Sequence, residues 1–374
     1  VEPRADYHPL PSGYRRRIET WRILSPQRRP VETTDVDDGS TGDRITTIPR
    51  LAATRRLSEA ERSFPVELQW SQTMSRCIAQ GRPVPNDVLG PLRDSTGVAD
   101  DANELQRRIG DDGYLFLRGV VDRTEIMAAR AEVFARLADV GEIQQPSVDG
   151  LYTGTSQRSE VVSDLGDFWR SVNLGEALRH VSHGEQVSAL MDKILGETAR
   201  PHDFMFLRPG PIGRSTHLHF DLPFFARGSK RIFTVWLALG DIPVEEGPLA
   251  VLEGSNRFAD LIDPIREIDY SSAMSPQVQM TDDTIEFARQ RSARLLTADF
   301  QAGDAIVFDM ITMHGTLDNH SPEGRVRLSC DVRWQPAAEP IDPRYVGDNP
   351  PGTTGAGYGE LNGAKPLTED WHIR

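Results

Sequence analysis

The sequence predicts a mainly β domain with flanking helices, preceded by an N-terminal extension. Three observations predict it. Between residues 203 and 336, seven short runs rich in β-branched and aromatic residues are separated by turn formers, the rhythm of an all-β barrel or sandwich. Between 103 and 196, apolar residues recur at helical spacing around one strand-like run. Before residue 100 the chain is Arg-, Thr- and Asp-rich, with few apolar clusters.

In chain order, residues 1 to about 60 read as an irregular arm. "VELQWSQTMSRCIAQG" (66–81) has helical apolar spacing that stops at Gly81, and "GRPVPNDVLGPLRDSTGVADD" reads as a linker. "NELQRRIGDD" is a short helix, "YLFLRGVV" a strand, and Asp122-x-x-Glu125 a capping-box-like start of the next helix. "EQVSALMDKILG" is an amphipathic helix ended by Gly196. The strands follow: "DFMFLRPG", "THLHFDLPFF", "RIFTVWLALGDI", "PLAVLEGS", "ARLLTADFQ", "DAIVFDMITMH" and "RVRLSCDVRWQP". Residues 257–292 interrupt them as a long insertion of the kind that shapes a binding site. The tail after Pro336 is Pro- and Gly-rich.

Composition narrows the function classes. The chain has 374 residues, 38% apolar and 26% charged, an ordinary globular mix. A net charge of −14 disfavours nonspecific binding to nucleic acid or to an anionic membrane. No apolar run approaches a membrane span, and the charged start lacks the apolar core of an export signal. The two cysteines, Cys77 and Cys330, make no disulfide framework, which fits the cytoplasm. Only three of the 42 basic residues are lysines, a bias typical of GC-rich bacterial genomes.

Chemistry concentrates in "HLHFD". Side chains alternate faces along a strand, so His217, His219 and Asp221 project together. They are either a metal grip or the wet side of a sheet. Ninety-five positions after His219, His314 ends another strand, and Arg325 follows it by eleven. Two imidazoles and one carboxylate on one face of an octahedral ion leave three positions open, the arrangement of non-haem Fe(II) oxygenases. Those positions suit a bidentate 2-oxo acid and O2, and a guanidinium is the better clamp for the acid's far carboxylate.

Over residues 103–336 the sequence resembles the phytanoyl-CoA dioxygenase-like (PhyH) family of Fe(II)/2-oxoglutarate-dependent oxygenases. The resemblance rests on "NELQRRIGDDGYLFLRGVVD", His219-Phe220-Asp221, "FTVWLALGDIPVEEGPLAVLEGSNRF", "AGDAIVFDMITMHGT" and the Arg eleven after His314. It implies a double-stranded β-helix (jelly-roll, cupin-like) barrel with flanking helices. The implied organisation is an extension over 1–100, an oxygenase domain over 101–336 and a tail over 337–374 packing on it.

The resemblance further implies that His219, Asp221 and His314 ligate Fe(II), with O2 and 2-oxoglutarate as cosubstrates. Arg325 would hold the 2-oxoglutarate C5 carboxylate, Thr316 would add a hydroxyl contact, and Trp236 would line the cosubstrate pocket. Phe220 replaces the Gln often found between the first two ligands, and Asn256 a His in a turn. The carboxylate of Asp221 disfavours chlorination, since halogenating relatives have a small residue there. Hydroxylation of a small molecule in bacterial secondary metabolism (antibiotic biosynthesis) is the expected reaction.

Alternatives stay open at this level. Desaturation, cyclisation or epimerisation would use the same iron site, and a cupin-like metalloenzyme would dispense with 2-oxoglutarate. A non-catalytic module would keep only the barrel. His217 and Phe224 are candidates for the substrate pocket, but His217 also reads as a hydrogen-bonded barrel histidine and Trp236 as core. His320 competes with His314, and Arg327, on the strand face of Arg325, competes for the carboxylate. Arg227, Lys230 and Arg231 read as an exposed charge run, and Cys330 as packing. Oligomeric state and substrate identity are not legible.

Overall fold

The computed structural model describes residues 76–225, 227–266, 268–269, 280–352 and 364–369. The arm, residues 66–75 of the expected helix, and parts of the insertion and tail lie outside the described residues.

Two sheets organise the chain. The first has five strands in the order β4 (Tyr114–Leu117), β9 (Ala305–Asp309), β6 (Phe233–Ala238), β11 (Arg327–Pro336) and β5 (Ala199–Gly210), all antiparallel. The second has four, in the order β10 (His314–Thr316), β7 (Leu249–Leu252), β8 (Leu295–Thr297) and β3 (Leu89–Pro91). Sequence-distant strands become neighbours, as in a jelly roll. The sheets face one another across an aromatic cluster: Tyr114, Phe116, Trp236, Ile306 and Phe308 from the first meet Leu249, Val251 and Leu296 from the second. Among the described residues the ladders remain two sheets and do not fuse into one closed barrel.

Helices cover the outer face of the five-stranded sheet. Ala102–Asp112 is capped by Asp101, Arg123–Asp139 by Asp122, and Glu185–Leu195 ends at the left-handed Gly196. These match the expected starts and stops. Ile126, Phe134, Leu178 and Met191 from this layer pack on Leu328, Cys330, Val332 and Trp334 of β11. Cys330 is therefore core, as its alternation with Leu328 and Val332 predicts.

The other face of β11 is unusual. Arg327, Ser329, Asp331, Arg333 and Gln335 alternate with the apolar residues, yet every one is buried. A buried polar row needs partners inside the protein. It lies between the sheets, where the site is found.

Two expectations are corrected before residue 101. Residues 76–81 are not helical: β1 (Ile78–Ala79) and β2 (Arg82–Pro83) form a tight hairpin, Ile78 paired with Pro83 and Ala79 with Arg82. Its two-residue turn, Gln80–Gly81, has φ of 52° and 72°, the left-handed pair that matches strand twist. Short apolar runs fit helix and strand alike, and the turn decided. The supposed linker contains β3, whose Leu89 and Pro91 pair in parallel with Leu295 and Thr297 of β8. Pro91 is tolerated because β3 is an edge strand.

Candidate metal centre

His219 and Asp221 lie on an extended segment that is not a regular strand. It touches β10 through one bridge, with reciprocal backbone bonds between His219 and His314 of 3.0 and 3.1 Å. Thr316 N donates to Thr216 O two residues on, at 2.9 Å. The segment comes close because β10 carries Gly315: a Cβ there would lie 2.5 Å from Thr216 O. After Asp221 the chain turns into the 3-10 helix Leu222–Phe225, whose Phe224 N donates to Asp221 O.

This pairing sets His219, Asp221 and His314 around one point. Their ligand atoms all lie within 4.8 Å of one another, and all three residues are buried. Asp221 Oδ1 is 3.7 Å from His219 Nε2 and 3.9 Å from His314 Nε2. Each imidazole is oriented from behind. His219 Nδ1 bonds to His217 O at 2.8 Å and His314 Nδ1 to Thr312 O at 3.0 Å, so each Nδ1 carries the proton. The Nε2 lone pairs then face Asp221, the usual state of a metal-binding His.

The carboxylate is divided in the same way. Asp221 Oδ2 accepts from Arg333 Nη2 at 2.6 Å and from Thr234 Oγ1 at 2.9 Å. Oδ1 is buried and has no hydrogen-bond partner among the described residues. A buried, orphaned carboxylate oxygen beside two imidazole lone pairs is the donor set a divalent cation satisfies.

The electrostatics agree. Burial would push the Asp221 carboxyl up, but Arg333 above all holds it well below the usual carboxylate range. Burial draws His219 down to about 3, and draws His314 down as well. At neutral pH the site offers one anion and two neutral imidazoles.

A cleft opens beside the triad, lined by Arg208, Thr216, His219, Trp236, His314, Thr316, Arg327 and Asp331 among others. Thr316 lines it while its Oγ1 accepts from Thr216 N at 2.7 Å. Trp236 packs edge-on against Phe300 at 4.8 Å and also lines the cleft.

Arg325 is placed elsewhere. It precedes β11, pairs with Glu323 at 2.9 Å and leaves 42% of its side chain exposed. It does not line the cleft, and Arg327 does. Arg327 is buried, and its Nη1 donates to Gly247 O at 2.7 Å. Burial lowers it only to about 10, so it stays charged. The strand begins at Arg327, and a two-residue step of roughly 7 Å separates Arg325 from it.

The remaining candidates lie outside the cleft. His217 Nδ1 bonds to Gln80 Nε2 at 2.9 Å, the hydrogen-bonded reading. Phe224 is buried in an aromatic cluster with Phe204, Phe206, Phe225 and Tyr345. His320 bonds to Asp318 O and is not in the triad. Of the exposed-run candidates, Arg231 is bound to Glu197 and Glu339 and Arg227 to Asp269. The sequence reading missed Thr234, Arg333, Arg208 and Asp331. For Asp331 and Arg333 a signal was present in "RLSCDVRW", where polar residues alternate with apolar ones.

Comparison with known proteins gives the family. The model of the phytanoyl-CoA dioxygenase (PhyH) family matches residues 109–327. The 1-deoxypentalenic acid 11-beta-hydroxylase of Streptomyces exfoliatus is 26% identical over 267 residues, covering 67% of this chain and 87% of its own. The ectoine dioxygenase of Stutzerimonas stutzeri (strain A1501) is 25% identical over 61% of this chain and 75% of its own. Among solved structures, the non-heme alpha ketoglutarate dependent epimerase SnoN from nogalamycin biosynthesis aligns over 67% of this chain and 86% of its own. Its identity is 21% and its TM-score 0.41. No helix among the described residues is long and apolar enough to cross a membrane. The family match spans more than half of the chain, which therefore belongs to the phytanoyl-CoA dioxygenase family and is an Fe(II)- and 2-oxoglutarate-dependent oxygenase.

Proposed function

We propose that the enzyme hydroxylates a C–H bond of a small molecule in bacterial secondary metabolism, with iron held by His219, Asp221 and His314. The reading rests on one observation: two oriented Nε2 atoms and an orphaned Asp221 Oδ1 converge on one point, and the two histidines line a cleft with a buried arginine. Bound there, Fe(II) with 2-oxoglutarate and O2 supplies the oxidation, one oxygen atom going to the substrate and the other to succinate as CO2 leaves.

The chain's own residues position and shield. Arg327, in place of Arg325, is the clamp for the far carboxylate of 2-oxoglutarate. It is buried, charged and fixed by Gly247 O. Thr316 and Trp236 border the same space. Burial of the triad keeps bulk water from the reacting atoms. The curated relative named for 1-deoxypentalenic acid supports a small organic substrate and secondary metabolism. A cytoplasmic setting suits two buried cysteines outside any disulfide, Cys77 and Cys330.

The test is 2-oxoglutarate turnover to succinate with Fe(II) and O2, comparing the wild type with His219→Ala and Asp221→Ala. Loss of roughly a hundredfold or more in both variants is expected if each supplies a ligand. Equal turnover in all three would remove the assignment.

A further inference from the structure

Arg333 performs no step in the chemistry above, yet it touches the one carboxylate of the triad. Only 1% of the residue is exposed. Its guanidinium lies 4.5 Å from the Phe206 ring centre and 4.7 Å from that of Phe225. Its Nη2 bonds to Asp221 Oδ2, while Nε and Nη1 have no partner among the described residues. A buried cation with two unmet donors is costly, and as a source of stability an apolar pair would serve as well or better. Its position relates to the ligand more than to the fold.

The backbone aims it there. Arg333 and Thr234 are directly opposed partners on β11 and β6, so their side chains leave the same sheet face and meet at the same oxygen. On the other side of β11 the ladder breaks register at this point, with Val332 paired to Met205 but Trp334 to Pro201. Such breaks re-aim side chains.

A carboxylate with both oxygens available can bind a cation through one or through both. Oxygenase chemistry needs three open positions, two for the 2-oxo acid and one for O2. A chelating Asp221 would take one of them. Two donors on Oδ2 leave only Oδ1 for the metal.

We propose that Arg333, seconded by Thr234, is a positioning residue that holds Asp221 to one-oxygen ligation and so reserves a coordination site for the cosubstrate. This rests on the proposed iron centre, and the experiment separates the two. Wild type, Arg333→Met and Thr234→Val are loaded anaerobically with Fe(II). Metal affinity, 2-oxoglutarate affinity from the visible charge-transfer band, and X-ray absorption at iron are then measured. Met keeps the length of the side chain between the two rings, and Val keeps the shape of Thr.

In Arg333→Met, Fe(II) is held at least as tightly as in wild type, because a buried positive charge has gone. 2-Oxoglutarate binds about tenfold more weakly, the worth of one charged hydrogen bond. The absorption spectrum gains the short metal–carbon distance of a chelating carboxylate. Thr234→Val moves the same way by about threefold, a neutral hydrogen bond's share, and decides the matter alone if Arg333→Met does not fold. Wild-type cosubstrate affinity and spectrum in the variants would overturn the inference and leave the iron centre standing. Metal affinity falling in parallel with cosubstrate affinity would also overturn it, marking Arg333 as a merely structural support. A wild type that takes up no iron would remove both.

Discussion

Arg325 and Arg327 are one pleat apart at the start of β11, and only Arg327 enters the cleft that contains His219 and His314. Arg327→Ala should weaken 2-oxoglutarate binding by roughly 10- to 100-fold, the range for loss of a charge-assisted hydrogen bond. Arg325→Ala should stay within about twofold, as for an exposed ion pair. Calorimetry on the anaerobic Fe(II) protein reads both. The reverse order would reinstate Arg325.

Stability should depend on a second buried arginine remote from the metal. Arg158 pairs with Glu142, both fully buried, and donates to Ala364 O and Lys365 O at 2.9 and 2.8 Å. Glu142 Oε1 accepts from Leu367 N at 3.0 Å, so the pair fastens residues 364–369 to the body. Glu142→Gln leaves a buried guanidinium uncompensated and should cost about 3–5 kcal/mol in urea unfolding. Glu142→Leu with Arg158→Met should recover much of that loss. A cost under about 1 kcal/mol for the single change would show the pair to be dispensable.

The metal-free protein should lose stability in acid. Burial depresses His183 and His202 to about 4 and His219 to about 3, from an ordinary value of 6.5. Between those values the unfolded chain binds more protons than the folded one, so stability rises with pH and is lost as pH falls from 6.5 towards 4. Each histidine contributes up to about 1.4 kcal/mol per pH unit. Glu246, pushed up to about 7 by burial, acts in the opposite direction above its ordinary 4.5. Asp309, pushed up to about 6 by burial, acts with Glu246, and His314, also drawn down by burial, acts with the other histidines; four histidines against two carboxyls leave the acid loss dominant. Urea midpoints at pH 7 and pH 5 check the sign, and His202→Gln should flatten the slope. A midpoint that rises towards pH 5 would refute it.

Much of this site was legible in the sequence, because metal ligation restricts residue type and order. His-x-Asp, a distant His and an ensuing Arg are few enough to find. Which of Arg325 and Arg327 lines the cleft was not legible, since spacing counts residues and the cleft depends on where the sheet begins. The burial of Asp331 and Arg333 was equally hidden. An alternating strand shows which residues share a face, but only the opposing sheet decides whether that face is wet. Thr234 could not be linked to Asp221 without the register of β6 against β11. The hairpin at Gln80–Gly81 was misread because the apolar residues of so short a stretch fit two periods.

The most direct measurement is the iron content of anaerobically reconstituted protein after gel filtration, for wild type, His314→Ala and His320→Ala. One iron per chain is predicted for wild type and His320→Ala, and close to none for His314→Ala. Iron retained by His314→Ala, or absent from wild type, would contradict a centre built on His219, Asp221 and His314.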